Sequence, residues 1–275
     1  MPQQSIAFIG GGNMATSLVG GLIGNATPPD TIWVTDPESD KLEALADRFG
    51  VRTSADNETA VRRVETVVLA VKPQVMAEVV RGIAGAAREH RPLIVSIAAG
   101  VRIADLARWL GYDAAIVRTM PNTPALVGAG ATGLCAGPGV SAEQRSRAEA
   151  VLRAAGITVW VEDEGLLDAV TAVSGSGPAY FFALMEQMEE AGAALGLDRE
   201  TARRLVLQTA LGAARIATEG DDPPAVLRAK VTSPGGTTQA ALETFSAGGL
   251  EQLVQRALTA ARDRAVELGD QLGRQ

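Results

Sequence analysis

The chain has 275 residues, of which 47% are apolar and 4% aromatic, and it carries a formal net charge of −7. Nucleic acid is bound through a basic face, so this acidic balance argues against a nucleic-acid-binding protein. With one cysteine, Cys135, and one histidine, His90, neither an intramolecular disulfide nor a thiolate metal cluster is expected. No basic segment leads into an apolar stretch at the N-terminus, and no apolar run is long enough to span a bilayer, so we expect a cytoplasmic protein without a metal.

The first motif is a glycine-rich loop between a predicted strand and a predicted helix. Residues 5–9 form an uncharged apolar run, and residues 16–23 have the composition of a helix. The loop between them is Gly10-Gly11-Gly12-Asn13-Met14-Ala15, which has the pattern G-x-G-x-x-A. In this context the first glycine makes a tight turn, and the second lets the backbone approach a diphosphate. The motif therefore predicts a dinucleotide site at the helix N-terminus.

Apolar, β-branched segments then alternate with helical ones, which predicts a mostly parallel, doubly wound sheet. The run 64–71 is almost continuously apolar and is typical of a strand buried on both faces. The other predicted strands are residues 31–35, 50–53, 93–97, 114–118, 129–136 and 157–161, and the last two flank a helix over residues 141–155. We expect residues 1–162 to form a Rossmann-type dinucleotide-binding domain.

Asp36 follows the second predicted strand, where an acidic residue often binds the adenosine ribose. A carboxylate there favours NAD, because its charge repels a 2′-phosphate, and Lys41 is the nearest cation along the chain. The alternative is that Asp36 begins the turn and caps the helix predicted over residues 38–49. The sequence leaves both interpretations open.

The ends of three later strands carry small residues, prolines or hydroxyl groups. The first ends at Lys72-Pro73, the next at Ala98-Ala99-Gly100, and the third at Met120-Pro121-Asn122-Thr123-Pro124. Open α/β sheets bind ligands at this edge. Such uncharged surroundings suit a flat ring such as nicotinamide.

The rest of the chain, residues 163–275, is predicted to be an all-helical domain. The predicted helices are residues 166–173, 179–195, 199–218, 238–246 and 250–272. The helix over 199–218 is apolar around most of its circumference, which indicates burial. A domain of this size buries such a helix poorly by itself, so we expect a dimer.

Two glycine-rich turns interrupt the helical half. In the first, Ser174 to Tyr180, we expect Ser176 or Gly177 to be an N-cap and Pro178 to begin the helix. The second, Ser233-Pro234-Gly235-Gly236-Thr237-Thr238, also opens a predicted helix. Free N–H groups at such turns suit a small carboxylate, although each turn is also compatible with an ordinary helix start.

The chain offers no His-Asp pair, nucleophile elbow or clustered metal ligands. Alcohol oxidation requires a base for the hydroxyl proton. An imine makes a smaller demand, because its nitrogen is basic enough to be protonated before hydride arrives. These absences favour reduction of an imine.

Taken in order, the motifs at residues 8–15, 70–73, 96–100, 120–124, 174–180 and 233–238 resemble those of pyrroline-5-carboxylate reductases. The resemblance extends from about residue 5 to residue 270. It implies reduction of 1-pyrroline-5-carboxylate to L-proline with NADPH or NADH, the last step of proline synthesis. It also implies a Rossmann domain, a helical domain that interlocks in a homodimer, and assembly of dimers into decamers.

The resemblance also implies roles for individual residues. For the cofactor, the implied residues are Gly10, Gly11, Gly12, Asn13 and Met14 at the diphosphate, Thr35, Asp36 and Asn57 at the adenosine end, Val71, Lys72 and Pro73 at a strand end, and Ala98, Ala99, Met120 and Asn122 near the nicotinamide. For the substrate, they are Ser176, Gly235, Gly236, Thr237 and Thr238, with the Thr238 hydroxyl meeting the ring nitrogen. Asp36 departs from the usual NADPH pattern of the family, so the resemblance implies NADP with NAD as an alternative.

Three other functions would use part of the same sequence pattern. A β-hydroxyacid dehydrogenase needs a catalytic lysine in the helical half, where the chain has only Lys230, which we expect to lie outside any helix. Another NAD(P)-dependent imine reductase would share most of these features. A non-catalytic nucleotide sensor would not need the turn at residues 233–238.

Overall fold

The structure, a computed structural model, describes residues 5–274. Within these residues, strands and helices alternate as far as residue 160, and helices follow. The strands are β1 (Ile6–Ile9), β2 (Ile32–Thr35), β3 (Arg52–Ser54), β4 (Thr66–Leu69), β5 (Leu93–Ser96), β6 (Ile116–Met120), β7 (Gly130–Ala136) and β8 (Gly156–Trp160). The helices among them are α1 (Asn13–Gly24), α2 (Ser39–Phe49), α3 (Asn57–Val61), α4 (Met76–His90), α5 (Ile103–Leu110) and α6 (Ala142–Arg153).

The strands form one sheet in the order β3-β2-β1-β4-β5-β6-β7-β8. Of the neighbouring strand pairs, only β6 and β7 are antiparallel. Ile9 is in register with Thr35 on one side and with Leu69 on the other. Strands β1, β2 and β4 therefore end at the same edge, where the strand order reverses. Sheets of this type bind ligands in the crevice at that point. The predicted doubly wound, mostly parallel sheet is confirmed.

The central strands of the sheet are buried on both faces, whereas the edge strand β8 is partly exposed. Along β1, Ile6 and Phe8 belong to one hydrophobic core, and Ala7 and Ile9 belong to the other, as the alternation of a strand requires. All four residues of β4 are buried, in agreement with the apolar run that predicted this strand. The two cores hold the strand ends rigidly in place.

The later part of the chain contains α7 (Leu166–Val170), α8 (Gly177–Ala194), α9 (Arg199–Glu219), α10 (Pro224–Lys230), α11 (Thr237–Ala247) and α12 (Leu250–Leu272). Helix α10 was not predicted, and the expectation that Lys230 lies outside a helix was wrong, because Lys230 is its last residue. The adjacent Pro223 and Pro224 suggest a loop, but the fixed φ of proline also suits the first position of a helix, which Pro224 occupies. Within residues 5–274, no helix combines the length and apolarity needed to cross a membrane.

The chain divides into two compact units. The first runs to Ser176 and resumes at Ala260, and the second is Gly177–Thr259. Within the first unit, Arg102 forms an ion pair of 2.6 Å with Asp270 in the last turns of α12. The boundary predicted at residue 162, between a dinucleotide-binding domain and a helical domain, stays a prediction.

Candidate active site

The turn after β1 requires glycine at its first position. Gly10 has φ +106°, and its N–H donates to the carbonyl of Thr35 at 2.7 Å. A Cβ added to Gly10 would lie 2.7 Å from the carbonyl oxygen of Ala70, which is far inside normal contact distance. The chain therefore passes from β1 to α1 by the tight turn that the motif predicts.

The other end of the loop faces open space. Gly12 is the N-cap residue of α1 and makes no side-chain cap hydrogen bond, and the first turn of α1 has no acidic residue. A Cβ added to Gly12 would have no atom within 4 Å. The first N–H groups of the helix, at Asn13 and Met14, are thus available at an open surface. This arrangement fits the diphosphate of a dinucleotide, which favours free N–H groups and the positive end of the helix dipole.

The carboxylate of Asp36 accepts hydrogen bonds from the backbone of two loops, the one after β1 and the one after β2. Its Oδ2 accepts a hydrogen bond of 2.9 Å from the N–H of Gly11, and its Oδ1 accepts one of 3.0 Å from the N–H of Glu38. The residue is only 8% exposed. The carboxylate therefore ties the glycine loop to the turn after β2, as in the turn interpretation. A contact between Asp36 and the ribose stays a prediction.

Thr35 and Asn57 form a pair at the end of β2. Thr35 is fully buried, and its hydroxyl donates a hydrogen bond of 2.6 Å to Oδ1 of Asn57, the first residue of α3. This bond fixes the orientation of the Asn57 amide and leaves its NH₂ group for a ligand. The Thr35 hydroxyl is thus used within the protein, and a role of Thr35 and Asn57 at the adenosine end of the cofactor stays a prediction.

The ends of β4 and β5 meet beside a cavity of about 320 Å³. Pro73 lines it on one side and Ala99 on the other, and Lys72 lies exposed next to Pro73. Val71 is oriented the other way, because a Cβ added to Gly10 would lie 3.1 Å from its Cγ1, and Ala98 is buried. The cavity is also lined by residues that the sequence did not identify: Thr171, Ala265, Leu268, Gln271 and Leu272.

The helix start expected at Ser176 or Gly177 is confirmed, since α8 begins at Gly177, but Pro178 is its second residue and not its first. A π-helix, Thr171–Gly175, comes directly before α8, and the N–H of Ser176 donates to the carbonyl of Thr171 at 2.8 Å. The N–H of Ser176 is therefore used by the π-helix. Pro178 has no N–H, so it cannot bond the carbonyl four residues earlier, at Ser174, and the regular helix is interrupted. Single π-turns of this kind are frequent at functional sites.

Asn122 and Met120, at the end of β6, contact this π-helix. The Asn122 amide donates to the carbonyl of Ser174 at 3.1 Å, and its Oδ1 accepts from the N–H of Ala131 at 2.9 Å. A Cβ added to Gly175 would lie 2.5 Å from Cε of Met120. The two motifs that the sequence identified separately are therefore in contact, and the Asn122 amide is used within the protein. Contact of Met120 and Asn122 with a cofactor stays a prediction.

The turn before α11 belongs to the second unit. Gly235 has φ +71°, and its N–H donates to Oε1 of Gln239 at 2.7 Å, while the N–H of Gly236 donates to the carbonyl of Ser233 at 3.0 Å. Gly236 is the N-cap residue, and no side chain caps the helix. In the part of the chain that the structure describes, the N–H groups of Thr237 and Thr238 have no hydrogen-bond partner.

Thr238 does not act as a cap. It is the second residue of α11, and within residues 5–274 its hydroxyl makes no hydrogen bond. A hydroxyl and two N–H groups are therefore available at one helix N-terminus. A carboxylate is the natural ligand of such N–H groups.

A buried cation escaped the sequence analysis. Arg118 is 4% exposed and forms ion pairs with Glu164 at 3.0 Å and with Asp168 at 3.7 Å. It joins β6 to the start of α7, since a buried charge is tolerated only when it is paired. Cys135 lies opposite Arg118 on β7, and burial raises the pKa of its thiol, so it is a poor nucleophile. The sequence signal for this buried cation is one charged residue, Arg118, in a segment that otherwise has the composition of a buried strand.

Two family models match the chain. One, described as pyrroline-5-carboxylate reductase dimerisation, matches residues 164–268. The other, described as NADP oxidoreductase coenzyme F420-dependent, matches residues 5–100. The two matches fall on the helical part and on the crevice side of the sheet.

Curated relatives and solved structures match over nearly the whole chain. Pyrroline-5-carboxylate reductase of Pseudomonas aeruginosa is 52% identical over 99% of this chain and 100% of that protein, and the Haemophilus influenzae enzyme is 44% identical over 98% of each. A structure of a pyrroline-5-carboxylate reductase from Coxiella burnetii has a TM-score of 0.94 and 45% identity, covering 97% of this chain and 98% of that one. A Plasmodium falciparum pyrroline carboxylate reductase with NADP bound has a TM-score of 0.84 and 29% identity over 98% and 99%. The chain therefore belongs to the pyrroline-5-carboxylate reductase family.

Proposed function

We propose that the chain reduces 1-pyrroline-5-carboxylate to L-proline, with NADPH held in the crevice beside β1. Membership of the family supports the reaction, and the NADP-bound relative supports the cofactor. The open N-terminus of α1 at Gly12 supports the place of the diphosphate. NADH as an alternative hydride donor stays a prediction.

The reaction adds a hydride to the carbon of the C=N bond, and the nitrogen keeps the proton with which it arrives. The bound dinucleotide supplies the hydride from its nicotinamide. The protein then has to hold the ring and exclude water, and it needs no strong acid. This fits the described residues, because the turn before α11 offers N–H groups and a neutral hydroxyl.

The observation that carries the substrate assignment is the uncapped N-terminus of α11. The N–H groups of Thr237 and Thr238 bind the substrate carboxylate, and the Thr238 hydroxyl meets the ring nitrogen. Gly235 and Gly236 shape the turn, since their own N–H groups are used inside it. Ser176 follows the π-helix, and we assign it to the substrate side as well.

The competing dehydrogenase function finds no support in Lys230. Its ammonium pairs with Asp222, and its side chain is largely exposed. A catalytic lysine needs a site from which water is excluded, so that its pKa falls towards neutrality. Lys230 is an ordinary surface residue of α10.

The reaction is tested by giving purified protein NADPH with 1-pyrroline-5-carboxylate, and NADP⁺ with hydroxyisobutyrate in parallel. We expect rapid oxidation of NADPH with the first substrate and no turnover with the second. Turnover of hydroxyisobutyrate alone would replace this function by a β-hydroxyacid dehydrogenase.

The helical part supports a homo-oligomer, as the dimerisation family model indicates. Large apolar side chains of α8 and α9 are exposed in the single chain, among them Phe181, Phe182, Leu205, Leu211 and Ile216. Burying them against a second copy removes this surface from water. We propose a homodimer formed through these helices, decamers built from such dimers, and a cytoplasmic location. Light scattering tests the assembly, and a monomer at micromolar concentration would contradict it.

A further inference from the structure

The carboxylate of Asp36 holds the glycine loop, and its negative charge gives no reason for the chain to prefer NADPH. Each of its oxygens accepts a backbone N–H, from Gly11 or from Glu38, and the side chain is 9% exposed. These bonds shape the diphosphate loop, which NADH and NADPH contact in the same way. The choice between the cofactors therefore depends on another group near the end of β2.

Lys41, in the first turn of α2, is a cation at this place. Its Nζ lies 3.8 Å from Oδ1 of Asp36 and 2.5 Å from Oε1 of Glu38. The side chains of Lys41 and Glu38 are 42% and 65% exposed. Exposed pairs of this kind contribute little stability, so the ammonium can leave Glu38 for a better anion at small cost.

Other cations near β2 are engaged at a different point. The guanidinium groups of Arg52 and Arg63 lie over the ring of Trp33, at 5.6 and 5.5 Å from its centroid. Trp33 lies two residues before the end of β2, whereas Lys41 lies beside Asp36, directly after it. The ribose of a dinucleotide is bound beyond the strand end, where Lys41 is.

We propose that Lys41 is the residue by which this chain prefers NADPH to NADH. Its ammonium exchanges Glu38 for the 2′-phosphate, which carries up to two negative charges, and Glu38 opposes binding by its own charge. Asp36 holds the glycine loop for both cofactors, and its negative charge opposes the 2′-phosphate as that of Glu38 does, so Lys41 has to outweigh both carboxylates. The inference rests on the proposed function for the position of the dinucleotide.

The test compares dissociation constants of NADPH and NADH, measured by the fluorescence of the reduced nicotinamide in protein without substrate. Lys41→Ala should weaken NADPH about tenfold, since one charge-assisted hydrogen bond is lost, and should change NADH less than about twofold. Glu38→Gln should lower the dissociation constant of NADPH, because it removes a negative charge near the 2′-phosphate. The difference in NADPH dissociation constant between wild type and Lys41→Ala should become smaller at high salt, because exposed charges are screened.

Arg48→Ala provides the matched control. Arg48 lies in the last turn of the same helix, over the ring of Phe49, so its removal deletes one positive charge of α2 away from β2. It should leave both constants unchanged. All variants should melt near the wild-type temperature, because the substituted side chains are exposed.

Two results would overturn the inference in different ways. If Lys41→Ala weakens both cofactors equally or neither of them, the assignment of Lys41 is wrong and the dinucleotide site stands. If wild-type protein binds neither cofactor, the proposed function fails together with the inference.

Discussion

The side-chain amide of Asn122 donates a hydrogen bond of 3.1 Å to the backbone carbonyl of Ser174. Ser174 lies four residues before Pro178, which has no N–H to offer that carbonyl. Asn122 therefore supplies the donor that the proline lacks, and this holds the π-helix against the end of β6. A part-buried carbonyl without a partner costs free energy, so this contact stabilises an otherwise irregular turn.

Asn122→Ala should lower the free energy of unfolding by about 1–3 kcal/mol, because the carbonyl of Ser174 and the N–H of Ala131 both lose a partner. Urea denaturation measures the effect. Thr123→Ala, at the exposed neighbouring position, is the control and should unfold like wild type. An unchanged midpoint for Asn122→Ala would show that the contact contributes nothing.

Thr238→Ala should separate activity from stability. The hydroxyl makes no cap hydrogen bond in the described residues, so the free energy of unfolding should change by less than about 0.5 kcal/mol. If the hydroxyl orients the ring nitrogen, kcat/KM should fall more than tenfold, a loss of roughly 1.4 kcal/mol of transition-state stabilisation. Thr238→Ser keeps the hydroxyl and should recover much of the activity. Full activity of the alanine variant would remove Thr238 from the site.

The glycine loop allows a paired experiment. Gly12→Val places its side chain in open space and should cost only about 1 kcal/mol of stability, since valine is a poor N-cap, but it should weaken NADPH binding at least tenfold, or about 1.4 kcal/mol, by occupying the diphosphate position. Gly10→Ala forces a Cβ against Ala70 at φ +106° and should destabilise the fold by about 1–3 kcal/mol or more. Calorimetry and fluorescence titration measure the two effects. Wild-type affinity of Gly12→Val would show that no phosphate lies there.

Glu149 should make stability depend on acid pH. Hydrogen bonds from Trp160 and Thr158, with Arg153 beside them, hold the pKa of the Glu149 carboxyl below its usual range. Its stabilising contribution is therefore complete above the pKa of an unfolded glutamate and is lost as the pH falls through the lower pKa of the folded state.

Melting temperatures measured from pH 7 downward check this. Glu149→Gln should be less stable than wild type at pH 7, and the difference should shrink in acid. Glu143→Gln, at an exposed position of the same helix, should follow the wild-type curve. If the difference in melting temperature between Glu149→Gln and wild type stays constant from pH 7 into acid, Glu149 does not cause the pH dependence of stability.

Local patterns were enough to predict the sheet and the glycine loop. The β-branched run that became β4 is buried on both faces, so its composition alone identifies it. The glycine at position 10 is required by a turn only a few residues long. A strand composition and a short loop motif are both contained in neighbouring residues, and this is why the sheet and the glycine loop could be predicted without coordinates, although Ala70 from another strand end also excludes a side chain at Gly10.

Only the tertiary structure decided how the distant parts act on one another. Asp36 could bind a ribose or hold a turn, and Gly11, which is 25 residues away, binds its carboxylate. The helix start next to Ser176 was expected, but the π-helix before it was not, and the amide that bonds its Ser174 carbonyl comes from Asn122, 52 residues away. Side-chain hydrogen bonds between segments remote in sequence leave no periodic signal in either segment, because the partner is specified by the packing of the sheet.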